Sequence, residues 1–224
     1  MRYLFKAKVE QHYESYQIKI PFNVWEVSRK RDTIDAGLCV EDKCIPCQLR
    51  PINNNGRYVV DLCAEDIYYF DLEQEQDILL HIGSSLVEFE KESPYSFSNP
   101  IREIDSMEVI IQPVDGLCSQ TCIAMLAGVS IDEVMDIMGL REWQAKMVEM
   151  ISALNYYGIE HSDTVVFTKG RDITLPKCCI MMEKMGLYCH YLVHYDGMFY
   201  DPNMPVFAEY DIGKLEGFLE VKCK

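Results

Sequence analysis

The sequence predicts an α+β chain with a small β-barrel over residues 1–88, a linker over 89–104, and a domain of helices followed by strands over 105–224. Three observations carry this. The first 88 residues hold several short alternating runs separated by turn residues. Residues 91–100 are polar and include Pro94 and Pro100, which marks an extended, exposed connection. Beyond Cys118, helical patterns that stop at glycines give way to strand patterns. At 224 residues the chain suits one large or two ordinary domains, and 49% apolar residues supply a sizeable core and exclude wholesale disorder.

In the first domain, residues 3–9 alternate, and residues 16–21 alternate until Pro21 stops them. Asn23 is placed to cap a short helix reaching Ser28, with Arg29, Lys30 and Arg31 at its end. Residues 38–40 and 44–49 read as a hairpin around Glu41-Asp42-Lys43. Asn53-Asn54-Asn55-Gly56 is a turn before a strand over 57–62, then a short helix over 64–70 and a strand over 77–82. In the linker, Tyr95 and Phe97 point to packing against one domain.

In the second domain, residues 118–127 read as a helix that ends at Gly128. Ser130 with Glu133 makes a capping box for a helix to Met138. Residues 142–157 read as a longer helix, with Trp143, Met147, Met150, Ile151 and Leu154 recurring as a core stripe before Gly158. Strands are predicted over 164–168, 179–183, 189–195 and 198–200, the last two joined by Asp196-Gly197.

The charge and the cysteines bound the function. A net charge of −15 with scattered Lys and Arg argues against nucleic acid and anionic membranes as partners. No run approaches the ~18 apolar residues that cross a bilayer, and the charged, alternating start lacks a signal peptide, so a cytoplasmic location is expected. Ten cysteines in that setting are expected to be reduced. Cys44-Ile45-Pro46-Cys47 has metal or redox spacing, but it lacks a second ligand pair and lies in strand-like sequence. Cys44 and Cys47 are expected as small buried hydrophobes, with no metal and no cofactor.

The chemistry-bearing residues are Gln112, Cys118, His190, His194 and Asp201. A thiol attacks as thiolate, and the first turn of a helix, where Cys118 falls, favours negative charge. A histidine can take its proton and a carboxylate can hold the ring. The oxyanion formed on a carbonyl needs donors placed in advance, here the Cys118 backbone N–H and the Gln112 amide. If Asp196-Gly197 forms a two-residue loop, Tyr195 pairs with Met198 and Leu192 with Asp201. Asp201 then shares a face with His190 and His194, diagonal to both. This register leaves the choice of histidine open.

Gln112, Cys118 and the run Cys122-Ile123-Ala124-Met125, followed by His190 and Asp201-Pro202, resemble the bacteriocin-processing peptidases and their wider "C39-like" relatives. The resemblance covers roughly residues 105–224, with Ser119 where that family usually has glycine. It implies a papain-like fold with His190 rather than His194 as base, a thioester intermediate, and a peptide or protein substrate cleaved by a peptidase or isopeptidase. The same residues would serve an acyltransferase, or persist in a non-catalytic peptide-binding module. Residues 1–88 are similar, more weakly, to a small bacterial β-barrel domain of unknown function.

Overall fold

The structure is a computed structural model that describes every residue except Glu14, Glu73, Gln74, Ser84, Ser85 and Leu187, and every side chain of those but that of His12. The chain separates into two compact units, Met1–Ser85 with Asp163–Asp172, and Leu86–Ser162 with Ile173–Lys224.

The first unit is a closed six-stranded barrel. Its strands are β1 (Arg2–His12), β2 (Ser15–Lys19), β3 (Ile34–Val40), β4 (Lys43–Pro51), β5 (Tyr58–Leu62) and β6 (Glu75–Ile82). They pair in the ring β1-β2-β5-β4-β3-β6, and β6 returns to β1. Strand alternation fills the interior: Tyr3, Phe5 and Ala7 of β1 are buried beside Ile78 and Leu80 of β6, with Ile18, Leu38, Leu49 and Val60 from the others. Closure leaves no open edge within the ring. The helices α1 (Val24–Val27) and α2 (Ala64–Phe70) are short, and Asn23 caps α1 by accepting the Trp25 N–H at 3.0 Å. From Asp163 on, strand β7 (His161–Phe167) runs parallel to β1 and stacks Phe167 on Phe22, centroids 3.7 Å apart.

Cysteine usage differs from expectation. Cys39 and Cys44 face each other across the β3–β4 hairpin and form a disulfide. Directly opposed cross-strand residues bring their Cβ atoms within bonding range, so the hairpin itself makes the pair. Cys44 is exposed and Cys47 half-buried, so neither is a core residue. Eight other cysteines are free. The scattered cations also converge locally: Lys6, Lys8, Lys19, Arg57 and Lys169 line one groove of the barrel together with Glu10 and Glu75.

The second unit packs three helices, α3 (Cys118–Ala127), α4 (Ile131–Met138) and α5 (Met147–Tyr156), with an antiparallel sheet. The sheet order is β10 (Met198–Tyr200), β9 (Tyr188–Tyr195), β8 (Cys178–Met185) and β11 (Leu215–Val221). Every residue of α3 is buried, its polar Ser119, Gln120 and Thr121 satisfied by hydrogen bonds, and it packs on β9. Ser130 caps α4 by accepting the Glu133 N–H at 3.2 Å. Residues 86–104 carry no regular helix or strand; Phe89 and Tyr95 pack on Tyr156 and Tyr157 at the end of α5.

Two elements depart from the sequence reading. Helix α5 starts at Met147, not at 142, because residues 140–145 are held as a loop: buried Gln120 donates to the carbonyls of Leu140 (3.2 Å) and Trp143 (2.7 Å). Strand β11 lies where the sequence pattern predicts no strand. A register shift between Leu215 and Gly217 interrupts the alternation that would reveal it.

Candidate active site

Helix α3 delivers Cys118 as its first residue, after Leu117 at the N-cap. The backbone N–H of a first-turn residue has no partner within its helix, so it is free to meet a developing charge. Strand β9 supplies His190 from its buried middle. The turn at Asp196 (φ 50°) and Gly197 (φ 82°) has both residues left-handed, as a two-residue hairpin loop of matching twist requires. The observed pairs are Met198 with Tyr195, Phe199 with His194 and Tyr200 with Val193, which returns Asp201 beside the rung of Leu192.

These three side chains meet. His190 Nε2 lies 2.8 Å from Asp201 Oδ1, with the two side chains only 8% and 11% exposed. The Cys118 thiol lies near enough to the same imidazole to raise its pKa, while its own hydrogen bond goes to Gln144 Oε1 at 3.2 Å. With Nε2 engaged by the carboxylate, Nδ1 is the ring nitrogen left for sulfur. Burial pulls the His190 pKa down, but the contacts with Asp201 and Cys118 and their charges outweigh it, so the ring is raised to about 10. Asp201 Oδ1 also accepts the Asn203 N–H at 2.8 Å, which orients the carboxylate.

Gln112 joins the two halves of this arrangement. Its N–H donates to the Pro202 carbonyl (2.9 Å), its Oε1 accepts the Leu117 N–H (3.0 Å), and its Nε2 donates to Asn203 Oδ1. The segment that carries Asp201 is thereby tied to the residue before Cys118. His194 stands apart: its Nδ1 bonds the Pro176 carbonyl at 2.9 Å, its ring packs on Phe199, and burial lowers its pKa.

No family model matches this chain, and no curated protein matches it either. Among the described residues, no group of three or more His, Cys, Asp or Glu is placed to hold a metal ion. Among the same residues, no helix is long and apolar enough to cross a membrane.

Sequence reasoning missed two glutamines. Gln144 Oε1 accepts the Cys118 thiol at 3.2 Å and covers a sulfur whose residue is 2% exposed. It lies on the 140–145 loop, where nothing in the local pattern marks it. Gln120, two residues beyond the thiol, fixes that loop from α3. Besides its two donations, its Oε1 accepts from Ser119 Oγ at 2.8 Å and from the Ala145 N–H at 3.4 Å. A signal for Gln120 did exist: a carboxamide at the start of a helix whose remainder, from Cys122 to Ala127, is apolar needs partners once that helix is buried.

Proposed function

We propose that the second unit is a cysteine hydrolase, a peptidase or isopeptidase of papain-like, C39-like kind, that acts on a peptide or protein. The observation that supports it most is the buried imidazole of His190, bonded to the Asp201 carboxylate at 2.8 Å and close enough to the Cys118 thiol for the sulfur to raise its pKa. Thiol and base lie 72 residues apart in the sequence, and a thiol, an imidazole and a carboxylate brought into one buried cluster are the groups that proton transfer to and from a nucleophile requires.

In this reading the Cys118 sulfur adds to the substrate carbonyl carbon, and its proton rests on His190. The carbonyl oxygen becomes an oxyanion, met by the Cys118 N–H and by Gln112 Nε2 once that amide leaves Asn203. The intermediate collapses, the C–N bond breaks, and His190 gives its proton to the leaving amine. A thioester on Cys118 remains. Water, losing a proton to His190, attacks the thioester, releases the acid and restores the thiol. An amine in place of water would make the same residues an acyltransferase. Substrate enters by displacing the Gln144 side chain from the sulfur. A cytoplasmic setting fits the eight free thiols.

A second reading, a non-catalytic peptide-binding module, is favoured by that same cap and by the 2% exposure of Cys118. Iodoacetamide separates the two. In the hydrolase, Cys118 is alkylated rapidly in mildly acidic buffer, and His190→Ala slows this sharply. Equal rates in the two proteins would remove the enzymatic reading and leave the module.

A further inference from the structure

An aromatic pair stands beside the proposed nucleophile in a position the mechanism does not use. Trp143 is 55% and Tyr188 57% exposed, with ring centroids 5.6 Å apart and planes at 70°. Each is fixed to one side of the site. Trp143 belongs to the loop that Gln120 pins from α3, and its neighbour Gln144 bonds the Cys118 thiol. Its ring lies against Gly116, where a Cβ would come within 3.1 Å of Trp143 Cε3 and where the backbone is left-handed (φ +90°). Gly116 therefore admits the ring two residues before Cys118. Tyr188 lies two residues before His190 on β9, so it projects from the same face of the sheet. Met185, its direct cross-strand partner, is 58% exposed and shares that face.

Large apolar side chains left open to water and grouped next to the Cys118–His190 pair are surface awaiting a partner. We propose that Trp143, Tyr188 and Met185 form a subsite that takes an apolar side chain, aromatic by preference, adjacent to the bond attacked by Cys118. The substrate class is thus a peptide with such a residue at the scissile position. The inference rests on the reading of Cys118 as nucleophile. Both open rings contribute faces and edges, so a third ring can stack on one and meet the other edge-on.

The test uses the full chain and two alkylating probes, N-methyl- and N-benzyl-iodoacetamide, with each rate divided by that of the same probe on glutathione. The wild type is expected to favour the benzyl probe about tenfold at Cys118, the scale of one well-placed apolar group. Trp143→Ala and Tyr188→Ala should bring the ratio near one, while Trp143→Phe retains most of it. Both positions are exposed, and an unchanged far-UV circular dichroism spectrum and urea midpoint for each variant verify that the fold survives. A ratio near one in the wild type, or one untouched by Trp143→Ala, overturns the subsite and leaves the nucleophile standing. A methyl-probe rate indifferent to His190→Ala overturns the nucleophile reading, and this inference with it.

Discussion

Replacing Asp201 by asparagine keeps the size of the side chain and an oxygen for the Asn203 N–H, and removes only the charge facing His190. The lost contact is a charge-assisted hydrogen bond of 2.8 Å between side chains that are 8% and 11% exposed. Bonds of that kind contribute about 2–3 kcal/mol. The pH dependence identifies it. The His190 pKa is raised to about 10 in the fold against 6.5 unfolded, so the folded chain keeps a proton that the unfolded chain releases. The stabilisation is complete below pH ~6.5 and declines as pH climbs through about 10. In Asp201→Asn, burial is the main influence remaining on the ring and lowers its pKa. Urea unfolding of both proteins should show a gap of about 2–3 kcal/mol near pH 6 that shrinks to under about 1 kcal/mol near pH 10. A gap that stays constant, or widens, with pH would refute the assignment of the raised pKa to this pair.

The remaining predictions concern the residues around that pair. Gln112→Ala should cost about 2.7–4 kcal/mol of transition-state stabilisation, read as a fall in kcat; an unchanged kcat would hand the oxyanion to another donor. Gln144→Ala uncovers the sulfur and should raise iodoacetamide labelling of Cys118 several-fold, and a slower rate would instead make Gln144 a donor that supports the thiolate. His194→Ala should leave turnover intact and lower stability by about 1 kcal/mol through loss of its bond to the Pro176 carbonyl. Abolished turnover there would mean that His190 is not the base.

The sequence made the barrel readable because its strands are short, alternate cleanly and are set apart by turns. Tyr3, Phe5 and Ala7 announce the inward face of β1, and Asn23 announces α1. The placement of Asp201 beside the His190 rungs was likewise local arithmetic, since a two-residue loop at Asp196-Gly197 fixes every later pair of the hairpin. What stayed hidden was register and long-range contact. The β3–β4 loop is Glu41-Asp42 rather than Glu41-Asp42-Lys43, with Val40 paired to Lys43, and that one-residue difference sets Cys39 opposite Cys44. The start of α5 is set by Gln120 reaching from another helix, which overrides a helical pattern that truly runs through Trp143.

Three glutamines, Gln120 buried and Gln112 and Gln144 half-buried, explain how the site can be both firmly held and responsive to pH. Gln112, Gln120 and Gln144 fasten the start of α3 to the Asp201 segment and to the 140–145 loop. A carboxamide donates and accepts at once and carries no charge at any working pH. Carboxylates or lysines in these positions would add interior charges that compete with His190 and shift it as they titrate. Neutral fasteners leave the imidazole governed by burial, by Asp201 and by Cys118, the influences that set its raised pKa. The His190 ring can then gain or lose its proton without any change of charge on the side chains that fasten the loops around it.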